Sequence, residues 1–206
     1  MLTVGRIYGF RKGMTSHPFK TLSRFGLSPK SDLVPALAAL QEPVFLKTHR
    51  MPSPDNAAPA IYLVRDGRDA VVSFAHYARR RGQRGYANLA FADALRKIIT
   101  RGTNNGTWSA NVGAWTGRSA QTEVVHFERL IEDPASTIGE ALDSLGLTPP
   151  KRRPQQLPTF DELHARDPVM FRRGKVGTWK EEMPVELERL FWKLHGAQME
   201  VLGYER

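Results

Sequence analysis

Apolar and polar positions change period several times along the chain, and the changes mark out alternating strands and helices. The best-defined unit begins with the β-prone run Ala60-Ile61-Tyr62-Leu63-Val64, which Arg65-Asp66-Gly67-Arg68-Asp69 interrupts. Val71, Phe74, Ala75 and Ala78 then recur at i, i+3, i+4 and i+7 of a helix, and Arg79, Arg80 and Arg81 suit its negative C-terminal end. This is half of a βαβ crossover. Two more apolar runs predict buried strands: Pro43 to His49, closed off by Pro52, Pro54 and Asn56, and Glu123 to Phe127. Helices are predicted over Phe91 to Ile99 and around Trp108, Val112 and Trp115, whose spacing marks a packing stripe rather than an acceptor pocket. Asp133 can cap a further helix with Pro134 in its first turn, and the stripe of Ile138, Ala141, Leu142 and Leu145 stops at Gly146. The last helix starts near Pro184 with Leu187, Leu190, Phe191 and Leu194 on one face. At the other end, Leu2, Val4, Ile7 and Tyr8 lean towards a strand that enters a Gly- and hydroxyl-rich loop, and Pro18, Pro29 and Pro35 break residues 18 to 40 into short helices.

Nearly all-apolar strands alternating with helices imply an α/β fold, a central parallel sheet with helices on both faces. Ligands bind such sheets at the carboxyl ends of the strands, where Arg11 to Ser16, Lys47 to His49 and Arg65 to Asp69 are expected to converge. The 206 residues suit a single domain over residues 1–206, with the basic, Pro-rich stretch 148–158 as an internal connection.

Composition narrows the chemistry. With 41% hydrophobic and 25% charged residues the chain reads as an ordinary globular protein. The lack of cysteine excludes disulfides, thiolate metal sites, iron–sulfur clusters and a cysteine nucleophile. Apolar runs are too short for a membrane span and Met1 to Phe10 lacks a secretory core, so a cytoplasmic address and no membrane partner are expected. Thirty Lys and Arg against 21 Asp and Glu leave a formal charge of +9, which favours anionic partners.

Arg65 leaves the end of a buried strand, and Ser73 stands eight residues on, in the following helix. A guanidinium, a hydroxyl and helix-terminal N–H groups so placed can clamp an anion. Taken alone, Arg65 also reads as an ion-pair partner of Asp66 or Asp69, and the pair Arg172-Arg173 as a solvated basic loop. Gly174 beside that pair would let two cations approach one dianion from different sides. Lys47 and His49 alternate onto one side of their strand, so an ammonium and an imidazole can address one site.

Four segments together resemble the sulfotransferases that use 3′-phosphoadenosine 5′-phosphosulfate (PAPS): Phe45 to His49, Tyr62 to Ser73, His126 to Pro134, and Phe171 to Lys180. The resemblance runs from about Val44 to the C-terminus, in family order. It implies a fold like that of the P-loop-containing nucleoside-triphosphate hydrolases. It also implies transfer of a sulfuryl group from PAPS to a hydroxyl or amine of a small-molecule or carbohydrate acceptor, without a metal. By the same resemblance Arg65, Ser73, Arg172, Arg173 and Gly174 hold the 3′-phosphate, His49 is the catalytic base and Lys47 neighbours the transferring group. The phosphosulfate loop falls on Arg11, Lys12, Gly13, Thr15 and Ser16, which keep the basic residue, the Gly and the Thr of the family pattern but lack its Pro and Ser. Two readings of that segment stay open, an altered working loop and a chance match. Phe127 and Arg129 also replace a Tyr and an Asp common in the family.

The alternatives are a catalytically impaired protein that still binds PAPS or its bisphosphate product, and a basic nucleic-acid-binding domain suggested by Arg79 to Arg84 and Lys151 to Arg153. No helix-turn-helix, RNP or zinc pattern supports the second, so no specific nucleic-acid partner is expected. A nucleotide kinase is disfavoured because no GxxxxGK[ST] sequence is present. Neither acceptor identity nor oligomeric state is encoded in a recognisable pattern.

Overall fold

The computed structural model describes residues 3–4, 46–47, 49–52, 57–147 and 158–206. The chain divides into two compact units, Met1–Arg50 with Arg153–Gln155, and Met51–Arg152 with Gln156–Arg206. In the first, β1 (Thr3–Val4) pairs antiparallel with β2 (Leu46–Lys47), with Thr3 opposite Lys47 and Val4 opposite Leu46. Of the expected strand at 43–49, the described pair Leu46–Lys47 is a strand, and its described partner runs antiparallel, where a parallel neighbour was expected. Antiparallel pairing has no need of the crossover that parallel neighbours require.

In the second unit, β3 (Ala60–Val64) is followed by α1 (Gly67–Arg80), α2 (Phe91–Arg101) and α3 (Trp108–Thr116). These form the crossover to β4 (Thr122–His126), which lies parallel to β3 in register from Ala60 opposite Thr122 to Val64 opposite His126. Among the described residues the parallel sheet therefore has two strands. The predicted strand end at Phe127 instead opens α4 (Phe127–Glu132), because β3 turns away at Arg65 and leaves Phe127 nothing to pair with. Then come α5 (Pro134–Ser144), α6 (Phe160–Arg166), α7 (Trp179–Glu182) and α8 (Val185–Val201). Asp133 caps α5 as expected, accepting from the Ser136 N–H at 3.1 Å. The sequence pattern did not announce α6, yet Thr159 and Glu162 form a reciprocal capping box at its start.

The core lies where α1, α2 and α8 meet. Val71, Val72 and Ala75 pack with Ala94, Leu95, Ile98 and Ile99 and with Leu187, Phe191 and Met199. Each large side chain buried there contributes about 1.5–3 kcal/mol of transfer free energy. On α8 the buried line runs Leu187, Phe191, His195, Met199, while the expected Leu194 is exposed. A histidine can take an apolar position because both ring nitrogens are satisfied. Nε2 lies 3.0 Å from the Ile99 carbonyl, which can only accept, so Nδ1 accepts from the Ser109 hydroxyl at 2.7 Å. Burial lowers its pKa and keeps the ring neutral.

The tryptophan stripe on α3 packs as expected: Val112 and Trp115 are buried, Trp108 lies against Phe191, and Trp115 stacks on Tyr62 with centroids 5.9 Å apart. Tyr62 donates its hydroxyl to Asn111 Oδ1 at 3.0 Å, and burial pushes its pKa up to about 12.

Gly67 opens α1 directly against Phe191 of α8 and Trp108 of α3. A Cβ there would collide with the Phe191 ring and lie 2.8 Å from the Trp108 indole. Gly67→Ala should therefore cost about 1–3 kcal/mol through overpacking. Urea denaturation should show a lowered midpoint for Gly67→Ala and partial recovery in the Phe191→Leu background; an unchanged midpoint would disprove the close approach.

Candidate anion-binding site

Val64, buried at the end of β3, delivers Arg65 and Asp66 to the start of α1. Asp66 caps that helix, accepting from the Arg68 N–H at 2.8 Å, and grips the Arg68 side chain through Nε at 3.1 Å and Nη2 at 2.8 Å. Arg68 is almost fully buried. Its guanidinium lies 3.9 Å over the Trp179 ring and 5.4 Å from that of Trp192, and Nη2 also donates to the Glu205 carbonyl at 2.8 Å. A buried cation is tolerable only with such pairing and aromatic cover.

Behind this pair, the Asp66 N–H donates to Glu128 Oε1 at 3.0 Å, and the Tyr204 hydroxyl to Glu128 Oε2 at 2.9 Å. Burial first, and then the Glu128 charge, raises the Tyr204 pKa, so the phenol stays a donor. With its proton committed to Glu128, Tyr204 takes the His126 Nδ1 hydrogen at 3.1 Å. Phe127 presents its ring to the Arg65 guanidinium, 4.8 Å from the centroid, so the residue that departs from the family's Tyr serves here as an apolar platform.

The centre of the arrangement is Asp69, whose side chain is fully buried. Oδ1 accepts from the Trp179 N–H at 3.0 Å and the Thr178 hydroxyl at 3.1 Å, and Oδ2 accepts from the Gly177 N–H at 2.7 Å. Arg65 Nη2 stands 3.2 Å from Oδ2 and donates to the Lys175 carbonyl at 2.7 Å. The ion pair with Asp69 that the sequence allowed is therefore real, but it belongs to a buried frame rather than a solvated turn.

One and two turns further along α1, on the same face as Asp69, come Ser73 and His76 at i+4 and i+7. His76 Nε2 lies 2.7 Å from Glu182 Oε2, and Arg172 binds Glu182 with both terminal nitrogens, at 2.9 and 2.7 Å. Arg173 pairs with Glu181 at 2.9 Å. The loop from Arg172 to Trp179 is thus pinned to α1 on either side of Ser73. Its bend at Gly174 has φ +62°, and the Phe160 ring packs so closely there that a Cβ would collide with it.

Burial, followed by the Arg172 charge, lowers the His76 pKa despite the bond to Glu182. For Glu182, burial is the largest single influence and raises the pKa, but the Arg172 bonds and charge, with His76, outweigh it and the net shift is downward. Since His76 is held towards neutrality, Arg172 is the main cation keeping Glu182 ionised, with Arg173 Nη1 also 3.6 Å from Oε1.

Of the residues singled out from the sequence, Arg65, Ser73, Arg172, Arg173 and Gly174 are brought to one surface of the second unit. Lys47 in β2 and the exposed His49 belong to the first unit. Arg11, Lys12, Gly13, Thr15 and Ser16 lie outside the described residues. Asp69 and Glu182, which hold the arrangement together, were not singled out as site residues; their only sequence signals are the i, i+4 spacing from Arg65 and the acidic pair closing Trp179-Lys180-Glu181-Glu182. A small cavity of about 70 Å³ lined by β4, Arg129 and α5 shares no residue with this surface. Among the described residues no helix is long and apolar enough to cross a membrane.

Residues 27–203 match the sulfotransferase domain family, and the chain belongs to it. Among solved structures it is similar to mouse sulfotransferase SULT7A1 complexed with PAP, with 19% identity and TM-score 0.54 over 68% of this chain and 58% of that one. A structure of retinol dehydratase in complex with androsterone and inactive cofactor PAP has 19% identity and TM-score 0.48, over 68% of this chain and 46% of that one. No curated protein sequence matches the chain. The chain thus spans less than two thirds of the length of these solved relatives; the likeness to the mouse sulfotransferase, at 19% identity, concerns the fold alone, an α/β arrangement in keeping with the parallel β3–β4 pair and its helices.

The titrating groups set a direction for stability against pH. His76 and His195 have lowered pKa values in the folded protein, so the unfolded chain binds protons more readily below about pH 6.5 and stability falls as pH drops through that range. Glu182, also lowered, adds a contribution that is present above about pH 4.3 and lost as pH falls further, towards its folded value. Urea midpoints should therefore decline from pH 7.5 to 5 and again below about pH 4.5; a midpoint that rises between pH 7 and 5 would contradict the burial of the two imidazoles.

Proposed function

We propose that this chain is a PAPS-dependent sulfotransferase whose second unit carries the seat for the cofactor's 3′-phosphate. The observation behind this reading is the meeting of Arg65 with the Arg172–Trp179 loop, through the Lys175 carbonyl and Asp69, along the face of α1 that bears Ser73. Arg65 Nε supports the fit: it is buried and makes no hydrogen bond among the described residues, so a donor remains for an anion. Arg172 offers its charge at the same loop, and a phosphate dianion competes there with Glu182 for the two terminal nitrogens. When bound, PAPS supplies an activated sulfuryl group.

The remaining roles follow from the family resemblance. His49 takes the proton of the acceptor hydroxyl or amine, Lys47 offsets charge building near the transferring group, and Arg11, Lys12, Gly13, Thr15 and Ser16 grip the phosphosulfate. In this reading β3 and β4 are two strands of the central parallel sheet of a P-loop-type fold. A small-molecule or carbohydrate acceptor and a cytoplasmic setting belong to the same reading; the similar mouse sulfotransferase complexed with PAP supports the cofactor.

Calorimetry with adenosine 3′,5′-bisphosphate tests the proposal. Arg65→Ala and Arg172→Ala should each weaken binding about tenfold to a hundredfold, the loss expected for one charge-assisted contact. His49→Ala should spare that affinity while lowering turnover by roughly 10² to 10⁴. Unchanged affinity in both arginine variants would refute the assignment of the seat.

A further inference from the structure

We infer that Asp69 is a positioning residue for this seat: its buried carboxylate fixes Arg65 and the 177–179 turn in one geometry, so the guanidinium and the basic loop are already arranged to receive a ribose-linked phosphate. The inference deepens the function proposed above and rests on it.

A carboxylate has about four acceptor sites, and here they face four donors. The division between the two oxygens matters. Oδ1 serves Thr178 and Trp179, at the start of α7, whereas Oδ2 serves Gly177 and faces Arg65. Oδ2 is therefore the link between strand end and loop. Through it and the Lys175 carbonyl, Arg65 commits Nη2 to the frame and keeps Nε uncommitted among the described residues. An arginine held by one edge forgoes little rotamer entropy on meeting an anion, which is the advantage of a preformed site.

Asp69→Asn separates this role from simple packing. The side chain keeps its size, and its single carbonyl can still satisfy Thr178 and Trp179, but the amide NH₂ then points its hydrogens at the Gly177 N–H and the Arg65 guanidinium, both donors. In the flipped orientation it meets the Trp179 N–H instead. In the first orientation the link between Arg65 and the loop is lost; in the second that link stays but the hold on the Trp179 N–H is lost, so in neither does one side chain fix both Arg65 and the whole 177–179 turn.

The test compares affinities for adenosine 3′,5′-bisphosphate and adenosine 5′-phosphate by calorimetry, with thermal unfolding alongside. The wild-type chain should prefer the bisphosphate. Asp69→Asn should lower that preference about tenfold or more while the 5′-phosphate affinity changes little, since only the 3′-phosphate seat is disturbed. A role in stability alone would lower the melting temperature and leave the preference within about twofold, which would overturn the inference. If Asp69→Asn does not fold, Asp69→Glu, which keeps the charge but shifts both oxygens by one methylene from the Gly177 N–H and Arg65, decides: a reduced preference supports the inference and an unchanged one overturns it. A wild-type chain with no preference between the two nucleotides is a different result, because it removes the phosphate seat itself.

Discussion

A single carboxylate without solvent exposure organises the second unit. An ionised group in that position is costly unless donors surround it, and the chain supplies them from a helix-preceding arginine and from a turn more than a hundred residues away. The consequences close on themselves. Asp69 fixes the Trp179 N–H; the Trp179 ring covers Arg68; Arg68 is held by Asp66; and Asp66 caps the helix that carries Asp69. Loosening any member exposes or orphans the next, which is the behaviour of a cooperative polar network.

Much of the second unit was legible in the sequence where periodicity was clean. The stripe Val71, Phe74, Ala75, Ala78 predicts α1, and Asp133-Pro134 predicts the start of α5, because those residues act through local backbone geometry. On α8 the stripe Leu187, Leu190, Phe191, Leu194 predicts Leu187 and Phe191 in the core, where they are, but it ends on the exposed Leu194, since an apolarity pattern passes over a histidine; the buried line continues through His195, which Ser109 and Ile99 make acceptable to the core. The β2 pairing was beyond reach, because two residues joining a segment far upstream leave no periodic trace. Strand β4 ends one residue early for a similar reason: the boundary depends on where its partner turns, and that is a tertiary fact.

The candidate site divides along the same line. Arg65, Ser73 and Arg172 to Gly174 announce themselves as basic and hydroxyl groups in a recognisable order, and the structure gathers them on one surface. Asp69 does not announce itself as an anchor, since most of its partners are main-chain N–H groups or a hydroxyl that any sequence could provide. Glu182 shows in the sequence only as half of an acidic pair, yet it holds Arg172 in a bidentate pair beside His76. Arg172 thereby serves two masters, an internal carboxylate and the phosphate proposed to dock there, and the loop is steadied at the expense of part of its attraction for ligand.

The contact between Arg65 and residue 175 runs through a main-chain oxygen, while the lysine side chain at that position is exposed. A carbonyl is the same whatever amino acid bears it. Mutational drift at position 175 is therefore invisible to the clamp, and the outward side chain is at liberty to adapt to whichever molecule approaches, leaving the machinery beneath it untouched.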